Sequence, residues 1–334
     1  MRRHLANKVL ILVVLLLMAA SLLLISCNAL PSDVPEVAEE PASTPEPTSD
    51  EGVPVTIEYL YDEEENESEH EIFDENKDDN DDNDENSKDE TGSETDSDST
   101  DGFFEIYSIE GTADSITGDR WERLLNWRKN AIQLAENHRD EVIINKNPVE
   151  KIVYLTFDDG PDPVNTVSVI NTLKEYNVSA TFFFLGENVR YYSDVVKKAF
   201  DAGFSIGLHG YSHTSFRDLT SDEIRAELNE TNDLIEAITG KRATTMRPPY
   251  GAIDDEEIKT ISDMDLKIYL WSLDTLDWAQ SDANEILRNI KEHLRPGEII
   301  LMHAFSGQKL VPVILPSIIE FIKDEGFEIK ALPQ

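Results

Sequence analysis

Two adjacent carboxylates, Asp158 and Asp159, follow the apolar run IVYLTF at 152–157 and precede Gly160-Pro161. Neighbouring side chains diverge on an extended chain, so one carboxylate can hold a cation while the other faces a substrate. Two carboxylates side by side are costly unless something positive binds them. Taken alone, Asp-Asp-Gly-Pro is also an ordinary turn signal. The run Leu208-His209-Gly210-Tyr211-Ser212-His213 places two imidazoles four residues apart. On a helical turn or a tight loop such a pair reaches one metal ion, although a polar loop with incidental histidines has the same spelling. With Asp159 they make a set of two His and one carboxylate. Three protein ligands with positions left for water are the pattern of a catalytic site rather than a structural one.

Three further strand ends carry polar residues. Arg247-Pro248-Pro249-Tyr250-Gly251 is stiffened by its prolines. Its arginine can hold a carboxylate bidentately, or else sit solvated on a surface turn. Trp271-Ser272-Leu273-Asp274-Thr275-Leu276-Asp277-Trp278 combines aromatic and acidic residues suited to an apolar pocket with one acidic member. Trp271 by default reads as core. Leu301-Met302-His303 ends another apolar run, where a single His is more often a satisfied core residue. Each bland reading is reasonable by itself. All five would have to hold together for the chain to carry no chemistry.

The elements that position these residues follow from hydrophobic pattern. Strands are predicted over 152–157, 180–185, 204–208, 245–247, 267–271 and 298–302. Helices are predicted over 164–176, 193–202 and 221–239, the last with Ser221 as N-cap and Gly240 as its stop. Alternation of this kind implies a parallel sheet of the α/β class, and about eight such units suggest a barrel. In barrels the chemistry sits at the C-terminal ends of strands, which is where the five motifs fall. Upstream, an amphipathic helix is predicted over 121–137, with Asp119 as a possible cap, inside a lead-in over 102–147 that the sequence assigns no role.

The chain has 334 residues and a formal charge of −39. Over 51–101 there are 23 acidic residues against two lysines, a stretch that cannot bury a core and repels itself. With the proline-rich segment after residue 27 it reads as an extended, disordered tether over 28–101. The acidity argues against nucleic acid as a partner. No second apolar face stands out, so a monomer is expected. Arg2, Arg3 and Lys8 precede an apolar run ending in Leu24-Ile25-Ser26-Cys27, where Cys27 is the only cysteine. This resembles a lipoprotein signal, with cleavage before Cys27 and a lipid on its thiol, at the outer face of a membrane. An uncleaved anchor is the competing reading.

The blocks TFDDG at 156–160, HGYSH at 209–213, RPPYG at 247–251, DTLDW at 274–278 and LMH at 301–303, with ATFFFLGENV at 180–189 between them, resemble the polysaccharide deacetylases of carbohydrate esterase family four, which share the NodB homology domain. The resemblance spans about 152–332 and implies a distorted (β/α) barrel over 148–334. It implies that Asp159, His209 and His213 bind a divalent metal, zinc most often and cobalt or another ion in some members. Asp158 is implied as the general base acting on the attacking water, with Arg247 holding it. His303 is implied as the general acid, tuned by Asp277. Trp278 and Leu301 would line the acetyl pocket, and the backbone N–H of Tyr250 would help hold the oxyanion. Acid and base are expected on opposite sides of the pocket. Two departures stand out: Gly210, where Ser or Thr is common, and Ala304, where Asp is frequent. The implied activity is removal of N-acetyl groups from an N-acetylglucosamine polymer such as peptidoglycan. An O-acetyl esterase on xylan or another acetylated glycan, and a glycan-binding module without activity, are the alternatives.

Overall fold

The computed structural model describes residues 104–334. The tether, Cys27 and the possible anchor lie outside the described residues. Within them runs the order α1 (Asp119–Asn137), β1 (Val142–Ile143), β2 (Ile152–Asp158), α2 (Asn165–Glu175), β3 (Thr181–Phe184), α3 (Gly186–Tyr191), α4 (Ser193–Asp201), β4 (Ser205–Leu208), α5 (Ser221–Thr239), β5 (Thr245–Met246), α6 (Asp255–Ser262), β6 (Lys267–Tyr269), β7 (Leu273–Asp274), α7 (Ala283–His293), β8 (Ile299–His303), α8 (Leu310–Asp324) and β9 (Glu328–Lys330). No described helix is long and apolar enough to cross a membrane.

The strands form one sheet in the order β1-β6-β5-β4-β3-β2-β8-β7, with β9 added against β2. Every ladder is parallel, as strand–helix alternation requires. The curled sheet is a distorted (β/α) half-barrel. Its two ends are not laddered to each other; Glu110 bridges Leu273 of β7 and Asn145 bridges Glu298. The lead-in is therefore continuous with the sheet, giving β1 at one end and the Glu110 bridge at the other.

The central strand β2 is buried along most of its length, which is why it reads as an unbroken apolar run rather than an alternating one. Phe157, Phe182, Phe184 and Phe204 pack ring against ring beneath the site, with centroids 5.3–5.6 Å apart. Helix α5 starts one residue earlier in its cap than the sequence suggests. Thr220, not Ser221, is the N-cap and forms a reciprocal capping box with Glu223. The Thr-x-x-Glu spacing fits that box and Ser221 cannot provide it. Gly240 ends the helix with φ 76°. Asp119 is the first residue of α1, with Gly118 rather than Asp119 in the cap. β1, β7 and β9, of two or three residues each, were not expected.

Candidate active site

Asp158 is the last residue of β2, and Asp159 turns the chain with φ 69°. Both carboxylates stay near His209 Nε2, Asp159 Oδ1 at 3.3 Å and Asp158 Oδ2 at 3.9 Å. The Asp159 carbonyl accepts a hydrogen bond from Asn188 Nδ2 at 2.8 Å, so the first turn after β3 holds the strained residue in place.

Asp159 Oδ1 faces His209 Nε2 at 3.3 Å and His213 Nε2 at 3.2 Å. A set of one ligand atom from each lies within 4.8 Å of one another, the only such group among the described residues. Each imidazole is fixed through its other nitrogen. His209 Nδ1 donates to the Arg247 carbonyl at 2.8 Å, and His213 Nδ1 pairs with the Tyr250 hydroxyl at 3.0 Å. Both bonds leave Nε2 aimed at Asp159, the outer-shell arrangement expected around a metal. Asp159 Oδ1 is buried without a hydrogen-bond partner. Such an atom is expensive unless a cation answers it, so the residues present fit a divalent ion. Burial would raise the Asp159 pKa, but the charge of His213 and the nearness of both imidazoles hold it well below the usual carboxylate range. Burial likewise opposes protonation of His209, and the charges of Asp158 and Asp159 outweigh it.

The two histidines sit in a tight loop rather than on a helix. His213 has φ 63° and Gly210 φ 76°. At Gly210 a Cβ would meet the Glu227 carboxylate at 3.1 Å, so this departure from the family pattern suits the local backbone. Glu227, on α5, accepts from the backbone N–H of Tyr211 at 2.6 Å and of Ser212 at 3.2 Å. Neither Glu227 nor Asn188 was singled out in the sequence. Both are ordinary polar helix residues there, and only the fold brings them to the site.

Arg247 follows β5 and is fully buried. Its Nη1 donates to Asp158 Oδ1 at 2.8 Å and to Thr156 Oγ1 at 2.9 Å, while Nε and Nη2 donate to the carbonyls of Tyr269 and Leu270. The guanidinium lies 4.4 Å from the Phe183 ring centroid and 5.5 Å from that of Trp271. Burial pulls its pKa down, opposed by the charge of Asp158. The hydrogen bond to Asp158 is single rather than bidentate, with other donors taken by the Thr156 hydroxyl and two backbone carbonyls.

His303 ends β8 in direct register with Asp158. The two expected proton carriers are thus cross-strand neighbours rather than groups on opposite walls, because β8 returns to lie beside β2. The Asp277 carboxylate accepts from His303 Nδ1 at 2.8 Å and from the His303 backbone N–H at 2.9 Å. Burial would lower the His303 pKa, but Asp277, with Asp159 and Asp158 behind it, pushes it up to about 10. Its Nε2 is the nitrogen left for a substrate. Ala304 is braced without a carboxylate: its N–H donates to the Asp158 carbonyl at 3.0 Å and its carbonyl accepts from Thr166. Leu301 is buried on β8 as the register partner of Thr156 and Asp274, and Trp278 is half-buried beyond Asp277. Tyr250 has φ 61° between Arg247 and Gly251.

Asp158, Asp159, His209, His213, Arg247, Tyr250, Asp277 and His303 all fall at or just beyond the ends of parallel strands, and Leu301 lies inside β8. In chemical terms they combine a cation site, a carboxylate fixed by arginine and a protonated imidazole.

The sequence profile described as polysaccharide deacetylase matches residues 145–269. A peptidoglycan-N-acetylglucosamine deacetylase of Bacillus cereus is 37% identical over 183 residues, covering 54% of this chain and 66% of its own length. The peptidoglycan-N-acetylmuramic acid deacetylase PdaC of Bacillus subtilis is 32% identical over 219 residues, covering 64% of this chain and 46% of its own length. The chain thus spans less than two thirds of either relative. The crystal structure of the Bc1960 peptidoglycan N-acetylglucosamine deacetylase, in complex with 4-naphthalen-1-yl-N-oxidanyl-benzamide, is 32% identical, with a TM-score of 0.58 over 60% of this chain and 94% of that one.

Proposed function

The chain belongs to the polysaccharide deacetylase family, and on that premise we propose that it hydrolyses the N-acetyl groups of an N-acetylglucosamine-containing cell-wall polysaccharide, peptidoglycan first. The observation that carries the reading is the pairing of Asp158 and His303 in register on adjacent strands, beside the ligand set of Asp159, His209 and His213. The names of the relatives support the glycan.

Asp159, His209 and His213 would hold the cation, and two imidazoles with one carboxylate suit zinc, with cobalt or another divalent ion accepted. When bound, it supplies Lewis acidity toward water and the acetyl carbonyl. Asp158, held by Arg247, is placed to take the proton of the attacking water. The backbone N–H of Tyr250 donates to the developing oxyanion. His303, charged at neutral pH through Asp277, gives its Nε2 proton to the departing nitrogen. An amide needs that proton, since an amine anion does not leave. Leu301 and Trp278 form the apolar seat for the methyl group.

An ester leaves with less help, so the acid separates amide from ester hydrolysis. His303→Ala is expected to slow acetate release from N-acetylglucosamine oligomers by about 10²-fold or more while slowing release from an acetyl ester such as acetylated xylan far less. Equal losses on both, or faster release from xylan than from the amide in the unaltered protein, would turn the reading toward an O-acetyl esterase. A bound cation with no release from any acetylated glycan would turn it toward a binding module.

The same reading places the protein outside the cytoplasm, as a monomer tethered by a lipid on Cys27. The apolar run ending at the single cysteine supports the lipid. Cys27→Ser is expected to abolish labelling by a fatty-acid analogue and release the protein; retention of label would refute it.

A further inference from the structure

Helix α1 lies before the five motifs, and the chemistry proposed above makes no use of it. Its Trp127 nevertheless touches two of the motif loops. The Trp127 ring stacks on Trp271, with centroids 4.9 Å apart and planes 24° from parallel. Trp271 is buried, and the Arg247 guanidinium lies 5.5 Å from its ring centroid. The backbone just before it supplies the carbonyls of Tyr269 and Leu270 that Arg247 grips. Trp127 Nε1 also donates to the Gly251 carbonyl at 3.3 Å. Gly251 follows Tyr250, whose N–H is the proposed oxyanion donor and whose hydroxyl meets His213. A Cβ at Gly251 would stand 2.6 Å from the Trp127 ring and 3.0 Å from the Trp271 ring. The glycine is thus the space into which both rings close.

The rest of the lead-in grips the loop that carries Asp277. Ala113, Ile116 and Leu124 pack with Leu276, and Trp278 borders the same cluster. Ser115 Oγ donates to the Ala279 carbonyl at 2.7 Å, and Gln280 Nε2 donates to the Thr112 carbonyl at 2.8 Å. One segment therefore reaches the arginine that holds the base through Trp271, and touches the turn that carries the oxyanion donor and the loop that holds the acid.

We propose that Trp127 is a positioning residue for the hydrolysis: through Trp271 it fixes the Arg247–Asp158 pair, and through the Gly251 carbonyl it fixes the Tyr250 turn. A ring that only filled space would stabilise the fold and leave the rate untouched. A ring that sets catalytic geometry acts on the chemical step, because small displacements of reacting groups are expensive there.

The inference rests on the deacetylase reading, and the test separates the two. The protein is assayed on N-acetylglucosamine oligomers with zinc added, as the unaltered chain, Trp127→Ala, Trp127→Phe and Ala135→Gly. Ala135 is buried about two turns farther along α1, and its replacement by glycine weakens the helix at a distance from both rings. Trp127→Ala is expected to lower kcat by about 10- to 100-fold with KM within about twofold. Trp127→Phe, which keeps the stack and loses the N–H, falls between it and the unaltered chain, and Ala135→Gly keeps kcat within about twofold. Amide hydrogen exchange at residues 250–252 should quicken in Trp127→Ala and not in Ala135→Gly, a reading that needs no activity. Should Trp127→Ala not fold, Trp127→Leu takes its place with the same expectations. An inactive unaltered chain overturns the deacetylase reading, while the exchange data still decide the positioning role. Unchanged kcat, equal losses in Trp127→Ala and Ala135→Gly, or unchanged exchange at 250–252 overturns the inference.

Discussion

Replacing Asp277 with Asn removes a charge and keeps the shape, so it reads the electrostatics of the acid directly. His303 is raised from 6.5 to about 10, and Asp277 is the first of the charges that raise it against burial. The Asp277 side chain is fully buried, so solvent does not dilute the effect. Asn can still accept from Nδ1–H but no longer favours the charged ring, and burial then acts unopposed by it. A bound cation offsets the Asp159 contribution and lowers the limb of the loaded enzyme; the Asp277 contribution survives. The alkaline limb of the kcat profile is therefore expected to move down by about 2 pH units or more, a rate loss that grows to about 100-fold above the limb of the unaltered protein. The assay is acetate release from N-acetylglucosamine oligomers at saturating substrate between pH 5.5 and 10.5. In the metal-free protein the same residue links stability to pH. A raised pKa stabilises the fold below 6.5, by on the order of 5 kcal/mol, and this is lost as pH climbs from 6.5 to about 10. Coincident alkaline limbs in the unaltered protein and Asp277→Asn would refute the assignment of His303 as the acid.

Three other expectations are simpler to read. One cation should bind per chain, and Asp159→Ala, His209→Ala or His213→Ala should each abolish tight binding by calorimetry; retained affinity in any of them would move the site. Glu227→Ala leaves the N–H groups of Tyr211 and Ser212 to water. It should weaken cation affinity by about 10-fold or more and cost about 1–3 kcal/mol, and an unchanged affinity would make Glu227 a fold residue only. Arg247→Met strands the buried Asp158 carboxylate, at about 3–5 kcal/mol. The Tm should fall by about 10 °C and recover in part when Asp158→Asn is added; no recovery would place the loss elsewhere.

The parts of the site that the sequence made legible are those built from short contiguous blocks. Asp158 and Asp159 announce themselves because carboxylates end an apolar strand, and His209 and His213 because their spacing suits one ion. Strands β2 and β8 have enough apolar residues to carry a pattern. What was hidden depends on distance along the chain. Nothing local to Glu227 or Asn188 shows that they hold motif loops from helices behind them. The register that sets His303 beside Asp158 depends on sheet order, which alternation of strand and helix does not specify. Strands β1, β7 and β9 are too short for any period to show. Trp127 lies inside the helix predicted over 121–137 with nothing in the sequence to single it out, and only the fold puts its ring against Trp271 and Gly251.

The most direct measurement is acetate release from N-acetylglucosamine oligomers and from peptidoglycan by residues 102–334 with zinc or cobalt added, beside the same protein carrying Asp158→Asn. Release from both amide substrates, lost on chelation and falling by about 10²-fold or more in the variant, is the expected result. Full activity in Asp158→Asn, or none from the unaltered chain with its cation bound, would contradict the proposed hydrolysis.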